Sequence, residues 1–159
     1  MPITRPMRSY RIKAITLRVV REHAPARGRL LCSGPKEVVA AIRELDLLPD
    51  EARERFVCLM LDAQNGLIGT HTVSIGTLTA SLVSPREVFR AAIVLPGVAS
   101  IVLAHNHPSG DPTPSQEDIR LTRQLAEAGQ LLDIRVHDHV ILGDGPEAAY
   151  VSLADRGNI

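Results

Sequence analysis

A chain of 159 residues has the length of one domain and can bury a hydrophobic core without stabilising cross-links. With 45% hydrophobic and 23% charged residues, its composition is typical of a globular protein and excludes an intrinsically disordered one. No stretch approaches the roughly 18 consecutive apolar residues of a transmembrane helix, and the first residues lack the apolar core of a signal peptide. We therefore expect a cytoplasmic protein with no membrane partner. The two cysteines are too few for a disulfide framework or a cysteine metal site.

The net charge of zero conceals a basic N-terminal segment. Residues 1–30 carry eight Arg and Lys residues against the single acid Glu22, so the rest of the chain holds about seven excess negative charges. This segment could contact nucleic-acid phosphates. We favour the alternative, in which it is a solvated or partly disordered lead-in or contacts the chain's own acidic body.

Hydrophobic periodicity predicts the first elements of secondary structure. β-branched residues with weak alternation predict a strand over residues 10–20, which a linker follows. Pro35 stands near the start of a helical pattern, where its fixed φ angle is favourable. An apolar run over residues 55–61 predicts a buried strand. Residues 63–66 predict a hairpin turn into a return strand, in which Gly76 marks a bulge or bend.

The second half of the chain continues the alternation of helices and strands. Ser84 begins a second helix, and the apolar run that ends at His105 is typical of a central strand buried on both faces. A third helix is predicted from Gln116 to about residue 128, with Gly129 in the C′ position. Two further strands follow, over residues 133–143 and 149–157. The predicted fold class is α/β, with one layered domain built on a mixed sheet of five or six strands.

Two histidines end the central strand. Side chains at positions i and i+2 of a strand share a face, so His105 and His107 can aim two imidazoles at one point while Asn106 faces away. Asp118, in the first turn of the next helix, is well placed as a third ligand. Two His and one carboxylate leave one tetrahedral position open, which is the ligand set of a catalytic zinc. Alternatively, Ser115 and Asp118 are only the N-cap and N3 acid of that helix.

The stretch LAHNHPSGDPTPSQEDI resembles the JAB/MPN (JAMM) metalloprotease motif: His-x-His, seven residues, then Ser-x-x-Asp. Within that superfamily the chain resembles the RadC-like proteins through SPREVFRAAI, HNHPSGDPTPS, AGQLLDI and DHVILGDG. The resemblance runs from about Ser33 to Arg156 and implies a three-layer, cytidine-deaminase-like JAB/MPN domain with helices flanking the sheet. We therefore expect a basic strand and linker over residues 1–32 and the metal-binding domain over residues 33–159.

The resemblance also implies a cofactor and a mechanism. It makes His105, His107 and Asp118 the ligands of a Zn2+ ion, and Ser115 the hydroxyl donor that supports a tetrahedral intermediate. Water activated by the metal would attack a carbonyl of a peptide or protein substrate. A glutamate from an earlier strand would take the water's proton and deliver it to the leaving amine, and Glu54 fits this place along the chain.

The assignment of the base leaves alternatives open. Glu54 could be an exposed acid at a helix-to-strand junction, and Glu87 is a rival, although an acid in a first helical turn has a structural reason to be there. Many RadC-like chains carry an acid on the return strand where this chain has His71. If that acid were the base, this protein would be an impaired enzyme or a scaffold. Ser84 and Asp133 also replace the His and Gly that relatives often have.

A second His-x-His, His137-Asp138-His139, lies on a later strand. No third ligand follows it on a helix, so a second metal site is disfavoured. We expect Asp138 or His139 to form a hydrogen bond near the site and orient a ligand.

These patterns lead to two hypotheses of function. The leading one is a zinc-dependent hydrolase of peptide or isopeptide bonds. The alternative is a non-catalytic module associated with DNA repair, with a structural metal and an Arg-rich N-terminus that binds phosphates. RadC-like proteins usually carry a helix-hairpin-helix segment before this domain. We expect none in the roughly 33 residues that precede it here, which disfavours the alternative.

Overall fold

A computed structural model describes residues 28–48, 53–76, 83–143 and 149–159. Within them, the elements are α1 (Pro35–Glu44), β1 (Arg55–Leu61), β2 (Leu67–Ile75), α2 (Pro85–Val94), β3 (Ser100–Asn106), α3 (Gln116–Leu131), β4 (Arg135–Leu142) and β5 (Tyr150–Ser152). The strands form one sheet in the order β2-β1-β3-β4-β5, in which β3 and β4 are parallel and the other neighbours antiparallel. The predicted α/β class is confirmed, whereas the strand predicted over residues 10–20 lies outside the described residues.

Both faces of the sheet are covered by helices. Side chains of β1 alternate between the faces: Val57 packs with Ile42 of α1, whereas Cys58 packs with Phe89 of α2 and Leu125 of α3. The result is three layers, with α1 on one side of the sheet and α2 and α3 on the other. Burial raises the pKa of the Cys58 thiol to about 12, so this cysteine is a small apolar side chain of the core.

The antiparallel pairing of β1 with β3 positions the candidate site. Phe56, near the start of β1, lies opposite His105, near the end of β3. Because antiparallel strands run in opposite directions, the residue before β1 lies beside the end of β3. Glu54 and His107 are therefore brought to the same end of the sheet, although they are far apart in sequence.

Gly76 directly follows the return strand and connects it to the same region. Its φ angle is 109°, a conformation that glycine adopts far more readily than other residues. Its N–H donates to the Glu54 carbonyl at 2.8 Å. The predicted bend at Gly76 is thus confirmed, and it joins the end of β2 to the residue before β1.

Two element ends differ from the predictions. Helix α3 continues through Gly129 to Leu131, so the prediction of Gly129 as the C′ residue is wrong. A Cβ atom on Gly129 would lie 2.5 Å from the Ile134 carbonyl oxygen, so close packing explains this glycine. The left-handed residue after the helix is Asp133, with a φ angle of 57°. Strand β5 is also shorter than predicted and ends at Ser152.

Candidate metal centre

Four side chains from three parts of the fold meet at the end of β3. The Nε2 atoms of His105 and His107 are 3.0 Å apart. The Asp118 carboxylate places Oδ1 3.4 Å from Nε2 of His105 and Oδ2 3.5 Å from Nε2 of His107. Glu54 Oε1 is 3.9 Å from Nε2 of His105. The structure therefore brings together the three predicted ligands and the predicted base.

Two different carboxylates can complete a metal site with these imidazoles. The ligand atoms of Glu54, His105 and His107 all lie within 4.8 Å of one another, so this group could hold a metal ion. The sequence predicted Asp118 in place of Glu54 as the third ligand, and the Asp118 carboxylate lies within 3.5 Å of both imidazoles. Both carboxylates are therefore within reach of an ion between the two rings.

A backbone carbonyl determines which nitrogen of His107 carries the proton. Nδ1 of His107 lies 2.7 Å from the carbonyl oxygen of Asp111. A carbonyl can only accept a hydrogen bond, so Nδ1 is the protonated nitrogen of this ring. In a neutral imidazole the other nitrogen then has a lone pair, and Nε2 of His107 is able to bind a metal.

A chain of buried hydrogen bonds determines the tautomer of His105 in the same way. Thr122 Oγ1 donates to the Asp118 carbonyl at 2.6 Å, so it must accept the bond from Nδ1 of His139, also at 2.6 Å. Nε2 of His139 is then an acceptor, and Nδ1 of His105 donates to it at 2.8 Å. The lone pair of His105 is therefore on Nε2, the atom that faces His107.

The tautomers of His105 and His107 bear on whether the site suits a metal ion. Two nitrogen lone pairs that face each other at 3.0 Å repel unless a cation lies between them. Tetrahedral coordination at the usual metal–nitrogen distance of 2.0–2.1 Å holds two ligand nitrogens about 3.3 Å apart, close to the separation found here. Two neutral imidazoles with neighbouring carboxylates therefore fit a divalent ion.

Burial keeps the imidazoles of His105 and His139 neutral. Burial lowers the pKa of His105 to about 4, with a further lowering by His107 and an opposing effect of the Asp118 carboxylate. Burial also lowers the pKa of His139 well below its usual value, and the charges of His105 and His107 act in the same direction. At neutral pH both rings keep the lone pairs that the hydrogen-bond chain and a metal require.

Ser115 and Asp118 form a capping box at the start of α3. The Asp118 N–H donates to Ser115 Oγ at 3.1 Å, and the Ser115 N–H donates to Asp118 Oδ2 at 2.7 Å. The Ser115 hydroxyl also donates to Asp118 Oδ2 at 2.6 Å. Asp118 is thus both a candidate metal ligand and a member of the helix cap. For Ser115 to support an intermediate, as predicted, its hydroxyl would have to turn away from Asp118.

The rival positions for the base lie on α2 or beside it. Glu87 forms an ion pair with Arg90 at 3.2 Å. His71, on β2, lies opposite Cys58 of β1 and forms a hydrogen bond with the Glu87 carbonyl. Burial and the charge of Arg90 lower the pKa of His71. Among these candidates, Glu54 is the carboxylate that the structure places beside the two imidazoles.

The second His-x-His divides into two roles. His139 contacts His105, as expected, whereas Asp138 connects β4 to the C-terminal segment. Asp138 Oδ1 accepts the N–H groups of His139 and Ala154, and Oδ2 accepts the Ser152 hydroxyl at 2.7 Å. Among the described residues, the set of side chains close enough to hold a metal ion includes neither Asp138 nor His139. Thr122 was not predicted, although its position four residues after Asp118 places it on the same helix face.

Arg29 is the member of the basic N-terminal segment whose contacts are described. Its guanidinium forms an ion pair with Asp62 and a hydrogen bond to Gln64 Oε1 at 2.7 Å. Arg29 thus contacts an acidic residue of the same chain, and the expectation for the rest of the segment stays a prediction. Residues 1–27 lie outside the described ranges, so nucleic-acid contact through residues 1–30 stays a prediction.

Comparison with known proteins links the whole fold to one family. A family model described as RadC-like JAB domain matches residues 32–158. The chain is 48% identical to the UPF0758 protein of Methanosarcina acetivorans over 129 residues, which cover 81% of this chain and 53% of that protein. It is 50% identical to the UPF0758 protein of Syntrophomonas wolfei over 133 residues, 82% of this chain and 55% of that protein. For the UPF0758 protein of Desulforamulus reducens the identity is 44% over 156 residues, 97% of this chain and 66% of that protein.

This chain thus spans about half to two thirds of the length of these relatives. In the described part of the chain, no helix is both long and apolar enough to cross a membrane.

Proposed function

Because this chain belongs to the RadC-like JAB domain family, we propose that it is a zinc-dependent hydrolase of peptide or isopeptide bonds. One observation carries the proposal. The Nε2 lone pairs of His105 and His107 face each other at 3.0 Å, and a hydrogen bond at the other nitrogen of each ring holds it in this tautomer. The two rings offer nitrogen ligands and the two neighbouring carboxylates offer oxygen ligands, and zinc binds both types in proteins.

We assign His105, His107 and Asp118 as the zinc ligands. Asp118 supports this assignment because its side chain is only 9% exposed, lies near both imidazoles and is oriented by Ser115. The Glu54 side chain is 21% exposed and lies farther from His105, at 3.9 Å. Three protein ligands leave one position open for water or substrate, as in catalytic zinc sites.

Each residue of the site then has a separate role in hydrolysis. When bound, zinc supplies Lewis-acid chemistry, because it polarises a carbonyl and makes water more acidic. Glu54 takes the proton from the attacking water, whose oxygen bonds to the carbonyl carbon. The same carboxyl group delivers this proton to the nitrogen as the carbon–nitrogen bond breaks, which releases an acid and an amine. Ser115 orients Asp118 and can turn its hydroxyl towards the reacting carbonyl oxygen.

Glu54→Gln tests this division of roles. The glutamine keeps the size of the side chain but cannot accept the proton, so we expect kcat to fall by about 10²–10⁴-fold. Zinc content should stay at about one ion per chain, as in other three-ligand sites, whereas Asp118→Asn should lower it. The measurements are metal analysis by mass spectrometry on protein purified without chelator, and cleavage of a mixed peptide library by liquid chromatography.

Glu87→Gln is the matched control, because it makes the same change at a carboxylate paired with Arg90. It should leave zinc content and cleavage at the wild-type level. Undiminished cleavage in Glu54→Gln would place the base elsewhere. Loss of zinc in that variant would show that Glu54 is a ligand instead.

A further inference from the structure

Asn106 lies between the two imidazoles in sequence, and its side chain contacts the backbone on both sides of Glu54. Its Oδ1 accepts the N–H of Arg55 at 2.8 Å, and its Nδ2 donates to the Arg53 carbonyl at 3.1 Å. One side chain therefore binds both peptide groups that flank the proposed base.

These two bonds extend the sheet where its backbone pairing ends. The last backbone pair of β1 with β3 on this side is Phe56 with His105. A primary amide presents a donor and an acceptor in one plane, as a peptide group does, so Asn106 can replace the next rung of the ladder. From the opposite side, the Gly76 N–H donates to the Glu54 carbonyl. The backbone of Glu54 is thus held from β3 by a side chain and from β2 by a main-chain bond.

We propose that Asn106 is a positioning residue that sets the place of the Glu54 carboxylate relative to His105 and His107. The inference rests on the proposed function, in which Glu54 is the base. Because Glu54 precedes β1, the backbone pairing of β1 with β3 does not include it, and on the β3 side the Asn106 amide supplies the restraint. A misplacement of about 1 Å in a reacting group can cost about a hundredfold in rate, so this restraint affects kcat.

Asn106→Ala in the zinc-loaded full chain is the first test. We expect the Arg55 amide to exchange its hydrogen about tenfold faster or more, because it loses its acceptor. Zinc affinity should stay within about threefold of wild type, since the Asn106 side chain faces away from the ligand imidazoles. We expect kcat to fall by about 10- to 100-fold with KM within about threefold. Adding Asn106→Ala to Glu54→Gln should cause no further loss of rate.

Two more variants separate positioning from general damage. Asn106→Thr has a side chain that suits a strand but cannot bridge both peptide groups, so it should repeat the results of Asn106→Ala even if the alanine variant fails to fold. Asn158→Ala is the matched control, an asparagine that is also half-buried but lies in the C-terminal segment. It should leave Arg55 exchange, zinc affinity and kcat unchanged.

Three results would overturn the inference. Asn106→Ala could keep the wild-type kcat although its Arg55 amide exchanges fast, or it could lose zinc in parallel with its loss of rate. The third result is a double variant that is slower than Glu54→Gln.

If the wild-type protein binds zinc but cleaves no peptide, the proposed function fails, and a metal readout then decides the inference. With Co2+ in the site, Asn106→Ala should then change the visible absorption spectrum as Glu54→Gln does, and the double variant should change it no further. A wild-type spectrum for Asn106→Ala overturns the inference.

Discussion

Thr122 has one hydroxyl proton, and its donation to the Asp118 carbonyl sets the direction of the hydrogen bonds that follow. His139 must donate to Thr122, and His105 must donate to His139. The lone pair that would bind a metal is thus oriented by a residue that is not itself a proposed ligand. Such hydrogen bonds behind a ligand commonly determine its tautomer and its affinity for metal.

Removing this hydroxyl should weaken metal binding. Thr122→Val has nearly the same shape but cannot accept from His139, so His139 and His105 lose their fixed tautomers. We expect zinc affinity to fall by about 10- to 100-fold, measured by competition with a chelator. Thr72→Val makes the same change at an exposed position of β2 and should have no effect. Equal affinity in both variants would show that the hydrogen-bond chain does not orient the ligand.

The lowered pKa of His105 predicts acid sensitivity of the metal-free protein. Its pKa is about 4 in the folded chain, against 6.5 ordinarily, so the unfolded chain binds more protons between these values. The free energy of unfolding should therefore fall as the pH is lowered from 6.5 to 4, by about 1.4 kcal/mol per pH unit for each fully buried imidazole. His139, whose pKa is lowered too, adds a fall of the same sign.

Urea unfolding at a series of pH values, with chelator present, measures this dependence. His139→Gln should reduce the slope, whereas His137→Gln, at an exposed position, should reduce it less. A free energy of unfolding that stays constant between pH 6.5 and 5 would contradict the assignment of neutral buried imidazoles.

Helix α3 serves both the fold and the candidate site. Its first turn presents Asp118 and closes the capping box, its second presents Thr122, and its last turns pack against α2 and the β4 connection. Gly129 lies in that last part, where the helix approaches the Ile134 carbonyl too closely for any side chain. The requirement for glycine therefore comes from neighbouring elements and overrides helix propensity.

Gly129→Ala should destabilise the protein although alanine is the better helix former. Intrinsic propensity favours alanine by about 1 kcal/mol. The clash at 2.5 Å with a backbone oxygen that has little room to move should outweigh this gain. We expect a net loss of about 1–3 kcal/mol in the free energy of unfolding, measured by urea titration. Gln130→Ala, at the exposed neighbouring position, should stay within about 0.5 kcal/mol of wild type. A Gly129→Ala variant as stable as wild type would refute the packing explanation.

A metal in the proposed site would connect distant parts of the molecule. The four side chains come from the residue before β1, the end of β3 and the start of α3, which belong to separate stretches of sequence. An ion that binds only the folded arrangement stabilises the whole domain, since unfolding separates its ligands.

Zinc removal should therefore lower the melting temperature. Zinc at about a hundred times its Kd adds about 2.7 kcal/mol to the stability of the folded state. For a chain of this size we expect a rise in Tm of about 5–10 °C over chelator-treated protein, measured by scanning calorimetry. His105→Ala should melt at the same temperature with and without zinc. A wild-type Tm indifferent to zinc would contradict the proposed site.

The contiguous stretch from His105 to Asp118 was open to prediction because its geometry is local. Alternation along a strand places His105 and His107 on one face, and the first turn of a helix presents Asp118. The same local rules predicted most elements of the sheet and helices. These rules depend on periodicity within one segment, which can be read directly from the amino-acid sequence.

The remaining features depend on register between segments that are distant in sequence. The antiparallel pairing of β1 with β3 brings Glu54 and Asn106 together, and the packing of α3 on β4 brings Thr122 to His139. No local pattern states which residue of one strand faces which residue of another. The same reason explains the error at Gly129: its neighbours are the Ile134 carbonyl and α2, and the contact exists only in the packed fold.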